Sequence, residues 1–275
     1  MPMKIALIQQ SALPDRAANI RRGLLNLEKA ANEGAGLVVF PELAFDRFFP
    51  QYPTVQNKLA LAETIPGPTT ELFVGKAREF GVVVVLNLFE KEGDHTFDSS
   101  PVIDNDGTIL GVTRMAHIAN CECFYEKNYY TPGNHGAPVY ETRVGKLGVA
   151  ICYDRHYPEY MRAMALNGAE LVVIPQAGII NEWPEGVYEA EIQAAALQNG
   201  YFTALVNRVG KEDKMNFAGE SFITAPLGEV IARAPAGEEF ILYAEIDLSQ
   251  VDQSPARKYF LRDRRPEIYP LHGSD

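Results

Sequence analysis

The chain uses one phrase twice, and that repetition limits the folds open to it more than any other feature. Gly34-Ala35-Gly36-Leu37-Val38-Val39-Phe40-Pro41 and Gly168-Ala169-Glu170-Leu171-Val172-Val173-Ile174-Pro175 share one layout: a glycine, a run of strand-forming apolar residues, then a proline. Upstream of the first lie an apolar run at 5–8 and a stretch whose apolar positions Ile20, Leu24, Leu27 and Ala31 recur at helical spacing, closed by Gly34. Upstream of the second lie a strand-like run over 146–151 and a helix predicted over 158–167, which begins with Pro158, a residue whose missing N–H is harmless in a first turn. A strand buried on both faces reads as a continuous apolar run, and two such strands joined through a helix close as a right-handed βαβ unit. The sequence therefore predicts a layered α/β protein with two similar halves.

Between the halves, the pattern predicts a helix near 70–80, a strand over 82–88 and a hairpin turning at Asp106-Gly107. After them come a helix near 186–198, a strand over 201–206, a hairpin about Leu227-Gly228 and a last strand over 240–246. The polar tail at 250–275, with its prolines and arginines, is expected to pack on a partner subunit. With 275 residues, 47% of them hydrophobic, the chain can bury one sizeable core and is read as a single domain over 1–275. No apolar run approaches the roughly 20 residues of a membrane span, and the first residues lead directly into a strand, so a soluble, unprocessed protein is expected. The net charge of −11 disfavours nucleic acid and anionic membrane surfaces as partners. Three cysteines are an odd number for a disulfide framework, and Cys121-x-Cys123 lacks zinc-site spacing, which suits a reducing cytoplasm and no metal.

Reactive groups in open α/β sheets gather just beyond the carboxyl ends of strands. Glu42 leaves the run that ends in Pro41, and Cys152 follows Val149-Ala150-Ile151. Next to Cys152, Tyr153-Asp154-Arg155-His156-Tyr157-Pro158-Glu159 packs charge and aromatic rings into a strand-to-helix turn. Backbone N–H groups of such a turn stabilise thiolate and oxyanion alike. Arg155 either lowers the thiol pKa, holds a substrate carboxylate, or pairs with Asp154 or Glu159. A thiol is a weak nucleophile until a base takes its proton, and Glu42 is the best-placed base.

These segments resemble a known family. Pro41-Glu42, the stretch 150–159 around Cys152, Phe124-Tyr125-Glu126-Lys127-Asn128-Tyr129-Tyr130-Thr131-Pro132-Gly133 and Asn207-Arg208-Val209-Gly210 look like signature segments of the nitrilase, or carbon–nitrogen hydrolase, superfamily. The resemblance runs nearly end to end. It implies an α/β fold, a four-layer αββα sandwich that assembles as a homodimer or higher homo-oligomer, with no metal or organic cofactor. It also implies roles: Glu42 as base, Cys152 as the sulfur that forms a thioester, Glu126 as a second carboxylate, and the Tyr153 N–H in the oxyanion hole. Arg155, His117 and Gln176 are the substrate-binding candidates.

One position departs from the family. Its catalytic lysine lies in a phrase Arg-Lys-x-His-Ile, where this chain has Arg114-Met115-Ala116-His117-Ile118. Losing a charged donor to the tetrahedral oxyanion costs on the order of 3 kcal/mol, or 10²–10³ in rate, unless something replaces it. Arg114, His117 or Lys127 could supply that donor, the enzyme could turn over slowly on reactive substrates, or the chain could bind amides without catalysis. Retained catalysis is the favoured reading because the cysteine and both glutamates remain. The phrases around Cys152, Pro138 and Asn207 look most like N-carbamoyl amide hydrolases of the β-ureidopropionase kind, so the expected substrate is a small linear amide or N-carbamoyl compound. Nitrile hydrolysis and amide-forming acyl transfer share the same core.

Overall fold

A computed structural model of the chain describes residues 2–54 and 56–269. Its strands in chain order are β1 (Met3–Gln9), β2 (Leu37–Val39), β3 (Val83–Val85), β4 (Leu88–Glu92), β5 (His95–Ile103), β6 (Ile109–Arg114), β7 (Val139–Thr142), β8 (Gly145–Val149), β9 (Leu171–Gln176), β10 (Phe202–Asn207), β11 (Val209–Lys211), β12 (Asn216–Ala218), β13 (Phe222–Thr224), β14 (Val230–Arg233) and β15 (Phe240–Ile246). The helices are α1 (Arg16–Asn32), α2 (Lys58–Leu61), α3 (Pro68–Phe80), α4 (Pro158–Leu166), α5 (Val187–Asn199) and α6 (Ser249–Gln253).

Both predicted βαβ units are present. β1 and β2 run parallel, with Ile5 beside Leu37 and Leu7 beside Val39, and α1 connects them. β8 and β9 repeat the arrangement, with Leu147 beside Leu171 and Val149 beside Val173, connected by α4. The Asp15 side chain caps α1 by accepting from the N–H groups of Ala17 and Ala18, and Gly34 at φ +87° lets the chain turn back toward β2. The first unit belongs to a seven-stranded sheet ordered β15-β1-β2-β3-β5-β4, with β6 also on β5. The second belongs to a six-stranded sheet ordered β14-β13-β10-β9-β8-β7.

Strand periodicity then sorts the side chains into layers. Ile5, Leu7, Leu37 and Val39 of the first sheet share one core with Leu147, Val149, Leu171 and Val173 of the second. Ala6, Ile8 and Val38 point the other way, onto Leu27 and Ala30 of α1 and Phe73 and Ala77 of α3. On the far side, Val172, Ile174 and Leu205 meet Met161 and Met164 of α4 and Ile192 of α5. The result is the αββα sandwich, in which the two sheets bury one face against each other and the other against helices.

Two details differ from the sequence reading. The strand expected over 82–88 breaks after Val85 and resumes at Leu88, because the Asn87 side chain is drawn into the interior. There it accepts from the Leu43 N–H at 2.7 Å and donates to Asp98 Oδ1 at 2.5 Å and Ser100 Oγ at 3.1 Å. The first part of the tail docks on its own chain: Val251, Ser254 and Ala256 are buried, and Arg257 donates to the carbonyls of Ala165 at 2.9 Å and Gly200 at 3.3 Å. Tyr259, Phe260, Ile268 and Tyr269 stay exposed, and positions 270–275 lie outside the described residues. Among the described residues no helix is long and apolar enough to cross a membrane.

Candidate active site

Glu42 sits on the loop that leaves β2, fully buried, and that loop is held by an arginine from the other half of the sandwich. Arg208, immediately after β10, donates through Nη1 to the Glu42 carbonyl at 2.9 Å and the Leu43 carbonyl at 2.5 Å, and through Nη2 to the Asp46 carbonyl at 2.9 Å. Glu212 balances its charge at 2.5 Å. The clamp matters because Leu43 is held at φ +44°, a left-handed conformation that costs a branched residue about 1–2 kcal/mol.

Cys152 sits on the turn that leaves β8 and is itself left-handed, at φ +43°. That sharp turn presents Sγ into the space between the sheets, and only 5% of the residue is exposed. The buried carboxylate of Asp154 holds the turn by accepting from the N–H groups of Ile151 at 3.3 Å, Ala116 at 3.1 Å and His117 at 2.9 Å. Tyr153, next in chain, is the second residue of the 3₁₀ turn over Cys152–His156.

The Cys152 thiol and the Glu42 carboxyl lie close enough to shift each other's protonation, and Asp98 acts on Glu42 from β5. Neither Glu42 oxygen has a hydrogen-bond partner. Glu126, on the 3₁₀ turn over Glu126–Asn128, completes the cluster, with Oε2 accepting from the Ala119 N–H at 3.1 Å and Oε1 unpartnered. Burial first, and Glu126 second, push the Glu42 carboxyl up to about 8, while Cys152, Asp98 and Arg208 pull the other way. Burial also raises the Cys152 thiol well above its usual value, reinforced by Glu42 and Glu126 and opposed by Arg155. Burial thus favours the neutral forms of the thiol and the carboxyls, so only the fraction of Glu42 that has lost its proton can act as a base toward the thiol.

The remaining sequence candidates fall around this centre. Arg155 is almost fully buried; Nη1 donates to the Cys152 carbonyl at 3.0 Å and to Gln176 Oε1 at 2.9 Å, the ring of Tyr188 lies 4.6 Å away, and Nη2 has no partner. Its carboxylate neighbour is Glu191 of α5, with Nε 3.2 Å from Oε2, rather than Asp154 or Glu159. His117 instead bonds Asp154 through Nδ1 at 2.8 Å and stacks on Tyr157 with centroids 3.5 Å apart. Met115 is fully buried in the core between the sheets. Two of the charged residues considered in its stead lie elsewhere: Arg114 is forked onto Glu90 at 2.8 and 2.5 Å, and Lys127 is exposed. Sequence reasoning did not single out Asn87, Asp98, Tyr130 or Tyr188, and did not see Asp154 as the brace of the cysteine turn. Their only signal was polarity inside apolar or aromatic stretches.

Residues 4–256 match the family model described as carbon-nitrogen hydrolase, so the chain belongs to the carbon–nitrogen hydrolase family of the nitrilase superfamily. It is an enzyme of that class. The N-carbamoylputrescine amidase of Solanum lycopersicum is 33% identical over 97% of this chain and 93% of its own length. A crystal structure of a carbon-nitrogen hydrolase from Helicobacter pylori G27 superposes with a TM-score of 0.92 at 34% identity, covering 98% of this chain and 97% of that one. A glutamate-to-glutamine variant of the amidase from Nesterenkonia sp. AN1, carrying the acetamide moiety of fluoroacetamide covalently on its active-site cysteine, superposes at 0.82 with 27% identity over 97% of this chain and 95% of that one. The possibility of a non-catalytic binder, raised by Met115, gains no support from these relatives.

Proposed function

We propose that this enzyme hydrolyses a small linear amide or N-carbamoyl compound through a thioester on Cys152. The observation that carries the reading is the nearness of Cys152 and Glu42, delivered by loops of different sheets into one buried site. Glu42 takes the thiol proton as sulfur attacks the carbonyl carbon, the Tyr153 N–H donates to the oxygen, and the leaving nitrogen receives the proton from Glu42. Water, deprotonated in turn by Glu42, then cleaves the thioester. Glu126 keeps the acidic site ordered behind the base. Arg155, with Gln176 fixing its Nη1, leaves Nη2 free for a carboxylate at the far end of the substrate, and His117 lines the approach beside Tyr157. The near-closed sulfur favours slim acyl groups, and the N-carbamoyl preference rests on the tomato relative.

Ammonia release from a panel of linear amides and N-carbamoyl amino acids, by the wild type and by Cys152→Ala, tests this. Loss of release in the variant, with an acyl adduct on Cys152 in the wild type by intact-protein mass spectrometry, is expected; equal rates end the reading. We further infer a single-domain chain that forms a homodimer through the tail, whose Tyr259, Phe260, Ile268 and Tyr269 are exposed, in a reducing cytoplasm that suits three free thiols. A monomer by light scattering at micromolar concentration would remove the dimer.

A further inference from the structure

A thioester route develops negative charge on the carbonyl oxygen, and the main-chain N–H of Tyr153 is one donor where such sites profit from more than one. The cations near this centre are largely committed, and what stays open is Arg155 Nη2, assigned above to a substrate carboxylate, and Arg208 Nε. Arg208 spends its donors on the Glu42, Leu43 and Asp46 carbonyls and on Glu212, Arg155 holds the Cys152 carbonyl and Gln176, and Arg114 is forked onto Glu90. His117 is held by Asp154, and Met115 offers a thioether.

Among the described residues the buried hydroxyls of Tyr130 and Tyr188 also keep uncommitted donors, and Tyr130 is the one of the pair whose neighbours are Asp98, Glu42 and Glu126. The Tyr130 hydroxyl is buried and has no hydrogen-bond partner, although an orphaned phenol normally costs stability. The Tyr130 backbone is tied to the same turn as Glu126: its N–H donates to the Glu126 carbonyl at 2.8 Å. Its ring packs against Phe89 at 5.6 Å. The hydroxyl lies within electrostatic reach of Asp98, Glu42, Glu126 and Cys152 together, in that order of influence. Asp98 adds a second orphaned atom, Oδ2, while Asn87 holds Oδ1 and the Met115 N–H donates to its backbone carbonyl at 2.9 Å. Tyr130, Met115 and Cys152 thus share the core between the sheets, with Asp98 joined to Met115 through the main chain.

We propose that the Tyr130 hydroxyl is the side-chain donor to the tetrahedral oxyanion, with the Asp98 carboxyl beside it, jointly filling the role for which position 115 has no charge. The proposal rests on the thioester reading above. As the S–C bond forms and the thiol proton passes to Glu42, the carbonyl π pair moves onto oxygen, where Tyr130 O–H donates without transferring its proton. Collapse restores C=O, breaks C–N and returns the proton from Glu42 to the leaving nitrogen. Asp98 brings an unpartnered Oδ2, and burial, then Glu42, raise its carboxyl well above the usual range, which favours the form that can donate beside the phenol.

The test is Tyr130→Phe, assayed beside the wild type and Cys152→Ala with acetamide and with p-nitrophenyl acetate, an activated ester that reports acylation where amide turnover is slow. Removing only an unpartnered hydroxyl is expected to lower kcat or the acylation rate 10²–10³-fold with KM within threefold and no loss of Tm. As a measurement independent of turnover, inhibition by propionaldehyde, which Cys152 captures as a thiohemiacetal, should weaken in parallel. Rates and inhibition within threefold of the wild type in Tyr130→Phe, with Cys152→Ala inactive, overturn the donor assignment and leave the thioester intact. Undiminished rates in Cys152→Ala overturn the thioester reading, and this proposal with it.

Discussion

The two βαβ units repeat one architecture and end it in different chemistry. Counted on from the last pairs, Leu7–Val39 and Val149–Val173, Gln10 and Glu42 stand equally far along the chain in the first unit, and Cys152 and Gln176 in the second. Each unit thus offers one glutamine and one reactive residue at equivalent strand ends, but in exchanged positions. The glutamines stay local: Gln10 donates to the Ala44 carbonyl at 2.8 Å, and Gln176 accepts from Arg155. Glu42 and Cys152, carried by different sheets, come near each other. Their loops are also braced with opposite polarity. Arg208 collects the carbonyls of the glutamate loop, whereas Asp154 collects the N–H groups of the cysteine turn. Repeating a fold repeats the positions where chemistry can stand, and the side chains placed there need not follow the symmetry.

The comparison is broken most severely at Glu42. Glu42→Gln, which makes the first unit carry glutamine at both strand ends, is expected to lower kcat by 10²–10⁴. In the wild type kcat/KM should rise with pH through about 8, as the base loses its proton. Stability moves the other way. With an unfolded carboxyl near 4.3 and a folded one raised to about 8, the folded protein keeps a proton that the unfolded chain has released between these values. The associated stability is complete below the lower value and is lost as pH rises through the upper one. Glu42→Gln should therefore gain Tm over the wild type at pH 9 and less at pH 5; the same difference at both would contradict the burial of this carboxyl.

Removing the brace comes next. Arg208→Ala strands Glu212 without its buried partner and releases the glutamate loop, and about 3–5 kcal/mol of unfolding free energy should be lost in urea titrations. A loss under 1 kcal/mol would show that the loop holds itself. A subtler change sharpens the contrast between glutamines. Gln176→Glu gives the second unit a carboxylate where the first has one, neutralising Arg155, so KM for carboxylate-bearing substrates should rise about tenfold with kcat within threefold; unchanged KM removes Arg155 from substrate binding. Smallest is Gln10→Ala, expected to cost about 1–3 kcal/mol by urea titration, with kcat within threefold, because it frees one buried carbonyl on the glutamate loop. A drop in kcat as deep as that of Glu42→Gln would mean that the strand-end glutamine is not the local prop described here.

Much of this was legible in the chain. The repeated phrase marked both parallel strand pairs, and the strand expected over 240–246 is β15. Glu42 and Cys152 were visible because each follows an apolar run, and strand ends are where backbone ladders stop and side chains become available. The interruption at Leu86-Asn87 was not visible, since an asparagine inside an apolar run carries no sign of whether it faces water or a partner. Asp98 was hidden for the same reason: β5 alternates like any half-exposed strand, yet both its faces are covered.

By itself the sequence determined the layers, through periodicity that decides which side chains must leave water, and it nominated the two reactive residues by their places in the chain. Only the tertiary structure decided that they come near each other, that Arg208 and Asp154 brace their loops, and that Asp98 and Glu126 gather beside them. The physical reason is range. Burial pattern is a property of neighbours a few residues apart, whereas the protonation and reach of Glu42, Asp98, Tyr130 and Cys152 depend on groups far away in sequence that come together only when one sheet closes on the other.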